Sequence, residues 1–306
     1  MRHVLLLFAD GVGLGPDDPA INPIVAARTP TFDGLLGRRL AGISDRVRWN
    51  GALLVPVDAT LGVEGLPQSA TGQTALLTGL NAPHLAGRHV TAYPTARLRE
   101  ILARHNILAS VRRMGGEVAL ANAYTPEYFA AVEAGRLRHA AITFAALSAE
   151  VRLRGIADLR VGEAVFHDLT NDRPRAWGHD VPLITPRQAG LSLASIARGR
   201  QFTLFEFFLT DLAAHGRIPL DPVTVVEMLD ALLGGVLEGS DLADTLVMMV
   251  SDHGNLEDAR SSGHTRNPVP VLLVGAGRDD VGAHLRTITD VAPAITAWLA
   301  GGLRHG

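Results

Sequence analysis

Short, nearly continuous apolar runs recur along the chain at Val4 to Ala9, Leu53 to Val57, Val118 to Ala121, Phe202 to Leu209, Thr245 to Val250 and Val269 to Val274. Each has the length of a strand, and the lack of strict apolar/polar alternation marks strands covered on both faces. Between them, apolar residues spaced by three and four over Ala96 to Arg104, Pro222 to Val236 and Val291 to Leu299 predict amphipathic helices. Strand and helix therefore alternate. That order predicts an α/β fold, a three-layer α/β/α arrangement with a mostly parallel sheet and helices on both faces. From about Thr125 to Thr185 the rhythm breaks. Helical patterns over Pro126 to Gly135 and His139 to Arg154 give way to a polar stretch with turn signals at Asn171-Asp172-Arg173-Pro174-Arg175 and Gly178 to Pro186. We assign 125–185 as a small cap insertion in a core built from 1–124 and 186–306.

Composition narrows the chemistry. The 306 residues are 47% hydrophobic and 19% charged, the balance of a folded globular chain. Cysteine is absent, which removes disulfides, thiolate nucleophiles and cysteine metal sites and points to a reducing cytoplasm. All 28 residues of the Lys+Arg total are Arg, so Schiff-base chemistry and a P-loop lysine are excluded as well. A net charge of -3 offers no basic field for nucleic acid or an anionic membrane. No apolar run approaches the roughly 20 residues of a membrane span, and neither an anchor nor a signal peptide is read. A small-molecule substrate is the expectation; oligomeric state is left open.

In an open parallel sheet ligands gather beyond the carboxyl ends of the strands, so the residues that terminate them matter most. Here they are aspartates: Asp10, Asp58, Asp211 and Asp252 each follow an apolar run. Carboxylates crowded on one edge repel one another, and divalent cations relieve that repulsion. Asp211-Leu-Ala-Ala-His215 puts an imidazole one helical turn from a carboxylate, Asp252-His253 adds an adjacent pair, and His264 lies in the loop before Val269. A strand-end aspartate alone is ordinarily a cap or turn residue. The conjunction of three aspartates and three histidines on one edge is what points to metal, and the mixed carboxylate and imidazole set suits manganese or zinc better than magnesium. His84, His89, His105, His139, His167, His179 and His284 are read as surface or structural histidines.

After Asp58 a Gly- and Pro-rich loop enters Gln68-Ser69-Ala70-Thr71-Gly72-Gln73-Thr74, the start of an apolar helix. Ser69 stands at its N-terminus, where N–H groups and the helix dipole favour an anion and a hydroxyl could be activated by a metal. Together these segments resemble the alkaline phosphatase superfamily, on the branch of cofactor-independent phosphoglycerate mutases and phosphopentomutases. Phe8-Ala9-Asp10-Gly11, the Ser69 turn, Thr210-Asp211 through His215-Gly216-Arg217, Ser251-Asp252-His253-Gly254-Asn255 and Gly263-His264-Thr265-Arg266-Asn267 stand in the family's order.

The resemblance implies two divalent metal ions. One would be held by Asp10, Asp252, His253 and the Ser69 oxygen, and the other by Asp211, His215 and His264. It implies phosphoryl transfer through a phosphoserine at Ser69, with Thr71 as second choice, on a small phosphate ester, by a phosphatase or a phosphomutase. Two departures bear on substrate: Gly72-Gln73 stands where the mutases carry Gly-His, and the cap is smaller than the phosphoglycerate mutase insert. Mutase caps supply arginines; Arg152, Arg154, Arg173 and Arg175 are the candidates here. The rival readings are a phosphodiesterase or nucleotide pyrophosphatase on the same two-metal core and a non-catalytic metal- or phosphate-binding descendant. A dinucleotide site at Gly11-Val-Gly13-Leu-Gly15 is a third, weakened by Pro16 where the fingerprint wants glycine.

Overall fold

The computed structural model describes residues 1–261 and 263–303. Seven strands, β1 (His3–Ala9), β2 (Val47–Trp49), β3 (Ala52–Val57), β4 (Val118–Leu120), β5 (Phe202–Phe207), β6 (Thr245–Val250) and β7 (Val269–Gly275), form one sheet in the order β2-β3-β7-β6-β1-β5-β4. β4, β5, β1 and β6 are mutually parallel, β7 runs against β6 and β3, and β2 runs against β3. The sheet is thus mostly parallel, with β7 and β2 reversed. β2 is too short and too polar to register as an apolar run.

Alternation along β1 divides its side chains between two layers. Val4, Leu6 and Phe8 pack with Ala70, Leu76 and Leu77 of the Ser69–Thr78 helix, Leu98 and Leu102 of the Ala96–His105 helix, and Ile295 and Trp298 of the Val291–Leu299 helix. Leu5, Leu7 and Ala9 pack on the other face with Leu193 and Ile196 of the Pro186–Ala197 helix and Leu229 and Leu232 of the Pro222–Gly239 helix. Both faces are covered, and so β1 reads as a continuous apolar run.

Within 125–185 the packing divides. Ala141, Ile142, Ala145 and Ala146 of the Ala141–Ser148 helix join the body around Val4 and Leu98, whereas Leu159, Ala164, Phe166 and Val181 gather with Ala123 in a separate small cluster. Registry places the functional edge: Ala9 lies opposite Phe207 and Phe8 opposite Val250, so β1, β5 and β6 end level. Because β7 is reversed, its first residue also lies at that edge.

Candidate metal centre

Each candidate ligand leaves a strand end or enters one. Asp10 is the first residue beyond β1, and Asp252 and His253 follow β6. Asp211 lies in the short Leu209–Ala214 helix that begins just after β5, and His215 caps its C-terminus. His264 precedes β7, and Ser69 opens the Ser69–Thr78 helix. Thr210 ties two of these ends together, its hydroxyl donating to the Asp10 carbonyl at 2.5 Å. Gly11 permits the close approach: at φ 69°, a Cβ there would lie 2.8 Å from Asp211 Oδ1.

The side chains converge. His253 Nε2 lies 3.0 Å from Ser69 Oγ, 3.2 Å from Asp10 Oδ1 and 3.6 Å from Asp252 Oδ2. Asp211 Oδ1 lies 3.4 Å from His215 Nε2 and 3.6 Å from His264 Nε2, and those two nitrogens are 3.3 Å apart. The rings of His253 and His264 stack at 3.7 Å and join the two groups. Asp10, Asp252 and His253, and again Asp211, His253 and His264, each offer three ligand atoms close enough for one cation.

The donor set fits such cations. Asp10 Oδ1 and both oxygens of Asp252 are buried with no hydrogen-bond donor, an arrangement that is expensive for a carboxylate unless a cation satisfies it. Burial first, then the charge of Asp10, holds the Asp252 and Asp211 carboxyls above the usual range. His253 moves the other way from a simple buried imidazole. Burial opposes its charge, but Asp252, Asp10 and Asp211 outweigh that and push it up to about 10. His264 is pushed down to about 4 by burial and the neighbouring His253, so its neutral ring keeps a lone pair. Its Nδ1–H donates to the Pro67 carbonyl at 2.6 Å, which aims Nε2 at the cluster.

Thr71 and Asp58 have other tasks. The Thr71 hydroxyl donates to the Gln68 carbonyl and accepts from the Val90 N–H. Asp58 does not join the cluster as a strand-end carboxylate; it accepts from the Thr60 N–H and hydroxyl and the Leu61 N–H, the ordinary duty of a turn aspartate. The glycine run is explained as well, since a Cβ at Gly13 or Gly15 would collide with Glu257.

Sequence reasoning missed Glu257 and Glu206, and gave Asn255 a place in a motif but no role. Glu257 is buried and accepts from the N–H groups of Gly13 (3.0 Å) and Asn255 (2.8 Å), the Thr265 hydroxyl and the Asn267 amide. Asn255 donates to Asp211 Oδ1 at 2.7 Å. Glu206, near Asp10, is pushed up to about 8 by burial and by Asp10, and Gln73 Nε2 faces it at 3.5 Å. An acidic residue inside an apolar run, as in Phe205-Glu206-Phe207, was the available signal.

A cavity of about 630 Å³ opens from Asp10, Ser69 and Asp211 toward residues 122–177. None of the four candidate cap arginines lines it. Arg152 pairs with Asp158, Arg154 donates to the Leu120 and Glu163 carbonyls, Arg175 donates to the Val181 carbonyl, and Arg173 lies over Trp177. Arg138 and Arg217 line it instead, together with His167, a histidine the sequence gives no reason to place there.

The family model of the Metalloenzyme superfamily matches residues 2–299. A 2,3-bisphosphoglycerate-independent phosphoglycerate mutase of Pyrococcus abyssi is 24% identical over 304 residues, covering 87% of this chain and 69% of that protein. Among solved structures, the PH0037 protein of Pyrococcus horikoshii has a TM-score of 0.58 at 13% identity, covering 100% of this chain and 99% of that one. The alkaline phosphatase of the Antarctic bacterium TAB5 has a TM-score of 0.56 at 14% identity, covering 99% and 98%. At those identities the structures speak for the fold alone.

Proposed function

The chain belongs to the Metalloenzyme superfamily, and from that premise we propose that it is a two-metal phosphoryl-transfer enzyme acting on a small phosphate ester through Ser69. What supports the reading is the convergence of Asp10, Asp252, His253, Asp211, His215 and His264 around a serine hydroxyl at a helix N-terminus. The phosphoglycerate mutase relatives agree with phosphoryl transfer. Manganese or zinc is the metal we propose, given three imidazoles in the set.

Two bound cations would make the serine hydroxyl more acidic and offset charge on the phosphoryl oxygens. The chain's own part follows from geometry. Asp10, Asp252 and His253 would hold one ion and Asp211, His215 and His264 the other, with the Ser69 hydroxyl next to the first group. The first N–H groups of the Ser69–Thr78 helix have no intrahelical acceptor and face an anion favourably. Ser69 Oγ attacks phosphorus in line with the departing alkoxide, giving a phosphoserine. Water then releases phosphate, or an acceptor hydroxyl takes the phosphoryl group. Residues 125–185 are proposed to act as the cap that shapes the substrate side, as Thr125, Tyr128, Phe166 and Trp177 line the cavity.

The test is Ser69→Ala in manganese-loaded protein with phosphate esters as substrates. Turnover should fall by at least a thousandfold while both ions stay bound by elemental analysis. Quenching the unsubstituted protein during turnover should trap phosphate on Ser69. Full activity of the alanine variant would sink the covalent route.

A further inference from the structure

The cavity has two chemically different ends. One is ionic, with Asp10, Ser69 and Asp211; the other presents Tyr93, Tyr124, Tyr128, Phe166, Phe208 and Trp177. Those rings fall into two groups lining the same cavity: Tyr124 and Tyr128 stand 4.9 Å apart, while Phe166, His167 and Phe208 follow one another at 4.0 and 4.7 Å. Trp177 meets Phe166 edge-on at 6.2 Å. With Arg173 over its ring and Phe166 at its edge, Trp177 is still 47% exposed, which leaves apolar area that a ligand could cover.

Polar groups on this wall are largely engaged within the protein. The Tyr124 hydroxyl bonds the Thr143 hydroxyl at 2.8 Å, and the Tyr128 hydroxyl bonds His139 at 2.7 Å. Asn122 exchanges both of its amide bonds with the Glu206 backbone, and Glu127 pairs with His179. His167, pushed down to about 3 by burial and Arg173, serves as a further neutral ring. The two arginines of the lining are exposed, and Arg138 lies over the Tyr93 ring at 4.9 Å. Apolar groups, rings and aliphatic side chains together, therefore make up most of what a substrate's alcohol portion would meet, and a cavity of about 630 Å³ exceeds what a three-carbon acid fills.

We propose that the preferred substrate is a phosphate monoester whose alcohol carries a planar apolar ring, seated among Phe208, Trp177 and Tyr128, rather than a small sugar-acid phosphate. This assignment takes the phosphoryl-transfer reading as its frame. The ring would stack on aromatic faces and lose water-exposed apolar area, while the phosphate stays at the ionic end.

Calorimetric titration of manganese-loaded protein with benzylphosphonate, ethylphosphonate and 3-phosphonopropionate tests it without turnover. Benzylphosphonate should bind at least tenfold more tightly than either of the others. A smaller preference, or tightest binding by 3-phosphonopropionate, overturns the proposal. Trp177→Ala, at an exposed position that leaves folding intact, and Phe208→Leu should each narrow the benzyl-to-ethyl affinity ratio at least threefold; a ratio that neither changes overturns the seat. Benzyl and ethyl phosphate, assayed in parallel, separate the two ideas. Tight ring-dependent binding without Ser69-dependent phosphate release leaves only the ring seat standing and sinks phosphoryl transfer together with the substrate assignment, whereas Ser69-dependent turnover indifferent to the ring sinks this assignment alone.

Discussion

At Glu257 a single carboxylate receives donors from two loops: Gly13 after β1, and Asn255, Thr265 and Asn267 from the beginning and end of the long β6–β7 connection that also carries Glu257 itself. Those loops carry Asp10, His253 and His264, so Glu257 positions ligands it never touches. Glu257→Gln keeps the shape but turns an amide N–H₂ toward two donors, leaving buried groups unmatched. We expect a stability loss of about 1–3 kcal/mol in urea unfolding, together with a metal affinity weakened by roughly 10- to 100-fold in titrations. An unchanged metal affinity would show that the loops hold their own geometry. The partners of this residue and of Glu206 were not legible in the sequence, although Glu206 stood out inside its apolar run, since an acidic side chain shows its partners only when distant segments meet.

Between elements, the decisive contact away from the site is the crossing of the Pro186–Ala197 and Pro222–Gly239 helices. A Cβ at Gly190 would come within 2.2 Å of the Leu232 carbonyl, and one at Gly235 within 2.0 Å of the Arg187 carbonyl. Backbone meets backbone there, and no side chain can yield. Gly235→Ala should push the helices apart and destabilise the fold by about 1–3 kcal/mol or more, despite alanine's better helix propensity. Denaturant midpoints would measure it; a stabilised variant would contradict the close crossing. The helices themselves were plain in the sequence. The Val291–Leu299 helix matches its apolar spacing, and Pro222 to Val236 extends to Gly239. Their mutual distance was not plain, because spacing along one helix says nothing of the partner it will face.

For the molecule as a whole, the metal centre couples folding to pH and to bound ions. Asp252 and Asp211, raised by burial and by Asp10, and His253, raised to about 10, must yield protons before a cation can use their lone pairs. Binding should therefore release protons and weaken as pH falls, which calorimetry in two buffers of different ionisation enthalpy reads directly. No proton release would mean that the cluster is already ionised. Chelation should lower the Tm, since an ion present at a hundred times its Kd adds about 2.7 kcal/mol to the folded state. At this scale the division of labour is clear. Apolar runs, helical spacing and the short motifs around Asp10, Ser69, Asp211, Asp252 and His264 are local features of the chain, because burial on both faces and one-turn ligand pairs leave their mark within a few residues. The reversed direction of β7, the tie from His264 to Pro67, the bracing by Glu257 and the aromatic wall of the cavity arise only when segments as much as 240 or so residues apart are folded together. Such pairings depend on strand order and packing, and no neighbouring residue records them.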